Sequence, residues 1–132
     1  MSHFLILRCT ATLTALLTLT GSTSTVRADT PETVVVTYRP KTDADKQLLS
    51  VIAAHWQTAR RLNLVLPLPH IVVETQENKH SYIVEIFSWR DASLPDNAPD
   101  QITTLWKQMS SLTEPRDGHP GVEFNSGELI SK

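Results

Sequence analysis

Cysteine is almost missing from this 132-residue chain: Cys9 is the only one. A single thiol closes no disulfide within the chain and falls short of a thiolate metal site. Positive charge is scarce too, with 12 Lys and Arg against 14 Asp and Glu, a net charge of −2. No basic cluster exceeds the pair Arg60-Arg61, so the basic stripe that nucleic-acid binding relies on is absent. The sequence also lacks a glycine-rich nucleotide loop, a G-x-S-x-G elbow and an H-E-x-x-H helix, which sets aside the chemistries built on them. His70, His80 and His119 stand at no metal-ligand spacing, and no metal or organic cofactor is implied.

No apolar run reaches the ~20 residues of a membrane-spanning helix. The stretch from Phe4 to Thr20 is interrupted by Arg8. Arg8 followed by the apolar Cys9–Thr20 and then Val26-Arg27-Ala28 reads instead as a secretory signal, cleaved after Ala28. A lipid-anchor signal does not fit, because Arg8 precedes Cys9 where a small residue is needed, and Cys9 lies ahead of the apolar run. Residues 1–28 are thus expected to be a cleaved signal peptide and residues 29–132 one exported domain, periplasmic or secreted, without stable membrane insertion. Cleavage removes two basic residues, Arg8 and Arg27, and no acidic one, so the net charge falls from −2 to −4. It also removes Cys9, which excludes a thiol nucleophile.

What the chain does have is one long β-branched and aromatic run, Tyr82–Arg90, without Pro or Gly. It is apolar on both faces and reads as a central strand. Alternation puts Ile83, Glu85, Phe87 and Trp89 on one side and Tyr82, Val84, Ile86 and Ser88 on the other. Thr33–Tyr38 is the first strand, ended by Arg39-Pro40. A helix is expected over 43–62, with Thr42 as its N-cap and Leu48, Ile52, Trp56 and Ala59 on its apolar stripe. Leu64–Pro69 carries two prolines and reads as an extended connection; Ile71–Thr75 is the second strand, joined to the third by the polar turn Gln76–His80. A second helix is expected over 98–112, and Val122–Phe124 is a short fourth strand.

The order β-α-β-β-α-β is the split βαβ, ferredoxin-like pattern. It is an α+β fold: a four-stranded antiparallel sheet with two helices on one face. The bare face would carry Val and Ile side chains and needs a cover. A second copy of the chain, sheet against sheet, is the simplest one, giving a homodimeric barrel.

With that order, His55-Trp56, the strand Glu85-Ile86-Phe87-Ser88-Trp89-Arg90 and Leu105-Trp106 resemble the dimeric α/β-barrel group that includes antibiotic-biosynthesis-monooxygenase-like proteins. The resemblance runs from Val34 to about Phe124. It implies the fold and a dimer, and among activities it makes cofactor-independent oxygenation the most available. The haem-degrading members carry an Asn on the first strand and a His near the second helix. Here the first strand ends Thr37-Tyr38-Arg39 and the second helix is entered through Asp96-Asn97-Ala98-Pro99-Asp100, so those two roles are not carried over.

Glu85 is the sharpest candidate for chemistry. A carboxyl held dry among apolar side chains serves as general acid or base; the alternative is a pairing with Arg39 or Arg90, or contact with water at the sheet edge. His55 is the second catalytic candidate, beside the apolar stripe of the first helix, where a packing histidine is the plainer role. Trp56, Trp89 and Trp106, with Tyr38, are expected to contact a small, largely apolar ligand between sheet and helices, or else to be core. The function expected is an exported small-molecule-binding protein, monooxygenase-like if it is catalytic. The alternative is a non-catalytic binding or interaction module.

Overall fold

The computed structural model describes residues 30–130; the expected signal peptide lies outside them. The elements run β1 (Glu32–Tyr38), α1 (Asp45–Arg61), β2 (Val65–Glu77), β3 (His80–Trp89), a 3-10 turn (Pro95–Asn97), α2 (Asp100–Ser111) and β4 (Val122–Gly127). This is the expected β-α-β-β-α-β order. The strands form one sheet in the order β2-β3-β1-β4, with every neighbouring pair antiparallel. The aromatic β3 is central, as its two apolar faces require. Among the described residues, no helix is long and apolar enough to cross a membrane.

The alternation of β3 sorts side chains as expected. Ile83, Glu85, Phe87 and Trp89 turn into the core, where they meet Val34, Val36 and Tyr38 of β1 and Leu48, Ile52 and Ala59 of α1. Ile102 and Met109 of α2 complete the cluster. Period two on the strands and spacings of three and four on the helices thus converge on one core. The other sheet face has no cover among the described residues: Ile71 is 45% and Val73 49% exposed, opposite Ile86 and Val84 in the register.

Four boundaries differ from expectation, each for a local reason. Leu64–Pro69 is no mere connection: β2 starts at Val65 and runs through Pro67 and Pro69, with a register shift between Val65 and His70. Its edge position tolerates prolines, because the outer side of an edge strand has no ladder partner for the missing N–H. Thr42 does not cap α1. The backbone turns at Lys41–Ala44, with Asp43 at φ 62°, and Ala44 takes the N-cap position without a side-chain bond. Aspartate is among the few residues that accept that left-handed geometry. α2 starts two residues later than expected, at Asp100, after the separate 3-10 turn. β4 extends to Gly127, because the free edge of β1 pairs with it as far as Thr33.

Asn63, at φ 57°, ends α1: its N–H bonds to the Arg60 carbonyl and that of Leu64 to the Ala59 carbonyl, the paired bonds of a Schellman stop. The hairpin turn tightens to two residues, Asn78 and Lys79, at φ 51° and 68°. Two positive φ values in succession match the twist of the flanking strands. That turn sets the register of the β2–β3 ladder from Glu77 back to His70, and so decides what lies next to Glu85.

Candidate functional site

Glu85 is completely buried, 0% exposed. Neither Arg39 nor Arg90 reaches it. Arg39 pairs with Glu123 at 2.9 Å, and Arg90 donates to the backbone carbonyls of Asn63 and Val65. Its partners are Tyr38, whose hydroxyl donates to Oε2 at 2.7 Å, and His70, whose Nε2 lies 3.1 Å from Oε1. Burial pushes the Tyr38 hydroxyl well above the usual phenol range, and the charge of Glu85 and their shared hydrogen bond push it further. Tyr38 is therefore a fixed donor. A buried carboxyl with both oxygens engaged meets the rule that polar groups taken from water must be paired.

His70 connects this buried pair to the surface. Its side chain is 21% exposed, and its ring stacks on Trp56 at 3.9 Å and 5°. Arg60 approaches the Trp56 ring at 5.7 Å. Of the two partners of Glu85, only His70 reaches the surface, since Tyr38 is itself buried. Among the residues singled out as a site in the sequence, none was His70. The signal was present but indirect: from a two-residue turn at Asn78-Lys79, the ladder pairs His70 with Phe87 and Val72 with Glu85. That places His70 on the face of Glu85, one diagonal step away.

His55 belongs to a second, separate cluster. It is 2% exposed, and its Nε2 accepts the indole N–H of Trp106 at 3.1 Å. Neutral His55 then carries its proton on Nδ1, which is buried and has no hydrogen-bond partner among the described residues. Burial holds its pKa below the ordinary histidine value; the charge of Glu85 opposes this and that of His70 adds to it. Around it, Phe87 and Trp89 stand edge-on at 5.8 and 6.0 Å. Trp89 and Trp106 meet at 6.1 Å and 86°, the T-shaped geometry that aromatic quadrupoles favour.

Beyond these two tryptophans lies a cleft of about 290 Å³ on the helix side of the β1–β4 edge. Val34, Trp89, Pro95, Trp106 and Phe124 form its apolar wall, and Glu32, Asn125 and Ser126 its polar rim. This is near the lower end of small-ligand pockets, at ~300 Å³. The structure thus divides the expected site. Trp89 and Trp106 line the cleft and His55 backs it. Trp56, Tyr38 and Glu85 gather with His70 in the other cluster.

No protein-family model matches the chain, and no curated protein does. Solved structures do. A cofactor-independent oxygenase from Streptomyces nogalater aligns with a TM-score of 0.55 at 15% identity, over 77% of this chain and 95% of its own. A dimeric ferredoxin-like protein of unknown function from Jannaschia gives 0.55 at 14%, over 76% and 100%. An antibiotic biosynthesis monooxygenase gives 0.55 at 15%, over 76% and 99%. Likeness at this identity carries fold and leaves activity to the site. The chain has the ferredoxin-like fold of the monooxygenase-like proteins, a fold that its neighbours put both to oxygenation and to functions still unknown.

Proposed function

We propose that this protein is an exported homodimer that binds a small, largely apolar molecule in the cleft walled by Trp89 and Trp106. The observation that carries the reading is the cleft itself, an aromatic-lined recess between the β1–β4 edge and α2. Export rests on the N-terminal sequence pattern. For turnover, the oxygenase among the neighbouring structures makes cofactor-independent oxygenation the reaction to assay. A specific observation favours the non-catalytic alternative: Glu85 and His55 are both sealed from the cleft's contents, at 0% and 2% exposure.

Phe124 offers the cleanest test of the cleft, because it lines the wall yet is 58% exposed. Phe124→Ala is expected to weaken binding of a bicyclic aromatic such as 1-naphthalenemethanol about fivefold or more, while the urea midpoint hardly moves. Equilibrium dialysis reads the first and circular dichroism the second. Unchanged affinity in a folded variant would place the ligand elsewhere. Oxygen uptake on incubation with ligand then separates turnover from simple binding.

The dimer follows from the uncovered face. Ile71, Val73, Val84 and Ile86 line up there across β2 and β3, an apolar patch that association would bury. Light scattering is expected to give twice the chain mass for the wild type and one chain mass for Ile86→Lys. A wild-type monomer at micromolar concentration would rule out the sheet-to-sheet pairing.

A further inference from the structure

Polar groups in an apolar cleft decide which ligands enter, because an unpaired one is costly to bury. Part of the aromatic wall is already committed. The indole N–H of Trp106 is already committed to His55, so the residue presents its ring to the cleft rather than a donor. At the rim, Glu32 stands opposite Trp89 in the β1–β3 register. It is half-buried, and its Oε1 accepts the Ser126 hydroxyl at 2.6 Å. Ser126 thus engages one of the two carboxylate oxygens.

The charge balance of the lining is one-sided. Glu32 is the one acidic residue among those that line the cleft, and no Lys, Arg or His is there to offset it. Three aromatic residues, Trp89, Trp106 and Phe124, share the same recess. Their ring faces are the negative ends of quadrupoles and attract cations. A carboxylate at the rim together with aromatic faces inside is the electrostatic signature of a site for an organic cation. An anionic ligand of the same shape meets the Glu32 charge with nothing to neutralise it.

Resting on the cleft reading above, we propose that the ligand is an apolar amine, its protonated nitrogen held by Glu32 and its hydrocarbon or aryl body enclosed by Trp89, Trp106 and Phe124. Ser126 holds the carboxylate in place through its hydroxyl. The amine remains protonated on binding, so no bond is made or broken. The site recognises charge and shape.

A charge series on one ring system tests this: 1-naphthylmethylamine, 1-naphthalenemethanol and 1-naphthoate, each in equilibrium dialysis at pH 7 against the full folded chain. The amine is expected to bind at least tenfold more tightly than the naphthoate, with the alcohol between them. Glu32→Gln is expected to bring all three within about threefold of one another. Raising the salt from 0.05 to 0.5 M should weaken the amine and leave the alcohol unchanged, since charges near the surface are screened. Naphthoate equal to or tighter than the amine would overturn the proposal, as would an amine preference that survives Glu32→Gln. The outcomes also separate from those of the cleft: all three ligands binding equally sinks the charge selectivity alone, whereas none binding sinks the cleft and the selectivity together.

Discussion

Replacing Glu85 by Ala is expected to cost the fold about 3–5 kcal/mol, one of the two largest effects anticipated for a single substitution here. The reason is what stays behind. The Tyr38 hydroxyl, almost fully buried, loses its acceptor, and His70 loses the carboxyl oxygen 3.1 Å from its Nε2. The orphaned Tyr38 hydroxyl costs about 1–3 kcal/mol, and the partly exposed His70 less. The vacated volume adds a cavity cost, because the surrounding Ile83, Phe87 and Val36 relax only in part. Glu85→Gln keeps the volume and an acceptor for Tyr38, and should cost about 1–2 kcal/mol. Urea unfolding followed by fluorescence gives both numbers. Glu85→Ala within 1 kcal/mol of wild type would mean that the buried network contributes little to stability. Glu85→Gln should also leave binding in the Trp89–Trp106 cleft unchanged, because Glu85 does not line it. A loss of binding in a folded Glu85→Gln protein would instead make Glu85 a functional group that acts from within the core.

The burial of Glu85 was legible in the sequence; its partners were not. Strict alternation through Tyr82–Trp89 places Glu85 beside Ile83 and Phe87, and the structure puts it there. Its neighbours depend on strand order and register, which alternation does not encode. The alternative pairing with Arg39 or Arg90 rests on their positive charge. Yet each lies just past the end of its strand, where Glu123 and backbone carbonyls are closer. Tyr38 reaches Glu85 because β1 pairs directly with β3, Val36 facing Glu85 and Tyr38 one step along the same face. His70 was hidden by Pro67 and Pro69, which made an edge strand look like a connection. The helices show the same division. The stripe of α1 correctly gives Leu48, Ile52 and Ala59 to the core. However, a stripe about 100° wide does not say which strand each of its members will touch. Trp56 therefore stacks on His70 over β2, while His55, one residue earlier, faces Trp89 and Trp106.

His55 gives the second large effect, and it depends on pH. Burial holds its folded pKa below the unfolded value of about 6.5. Above that pH the imidazole is neutral in both states, and the fold keeps its full stability. As pH falls below 6.5, the unfolded chain takes up a proton that the folded chain refuses. Stability then drops by up to about 1.4 kcal/mol per pH unit until the folded pKa is reached. The groups facing His55 act in opposite directions: the charge of Glu85 favours the imidazolium and that of His70 opposes it, while the neighbouring Trp89, Trp106 and Phe87 rings carry no formal charge. His55→Gln has no such group to titrate, and its amide oxygen still offers Trp106 an acceptor. Its stability between pH 7.5 and 5 should therefore fall less steeply than that of the wild type, so that the two curves converge or cross on the acid side. Urea midpoints at half-unit pH steps measure the difference. Parallel curves would mean that the proton is taken up equally in both states, and that the Nδ1 without a partner in this structure finds one when His55 is charged. A shallower variant curve would show that the fold holds a neutral histidine against the back of the cleft. At mildly acidic pH, that histidine would then be what limits the stability of the cleft's aromatic wall.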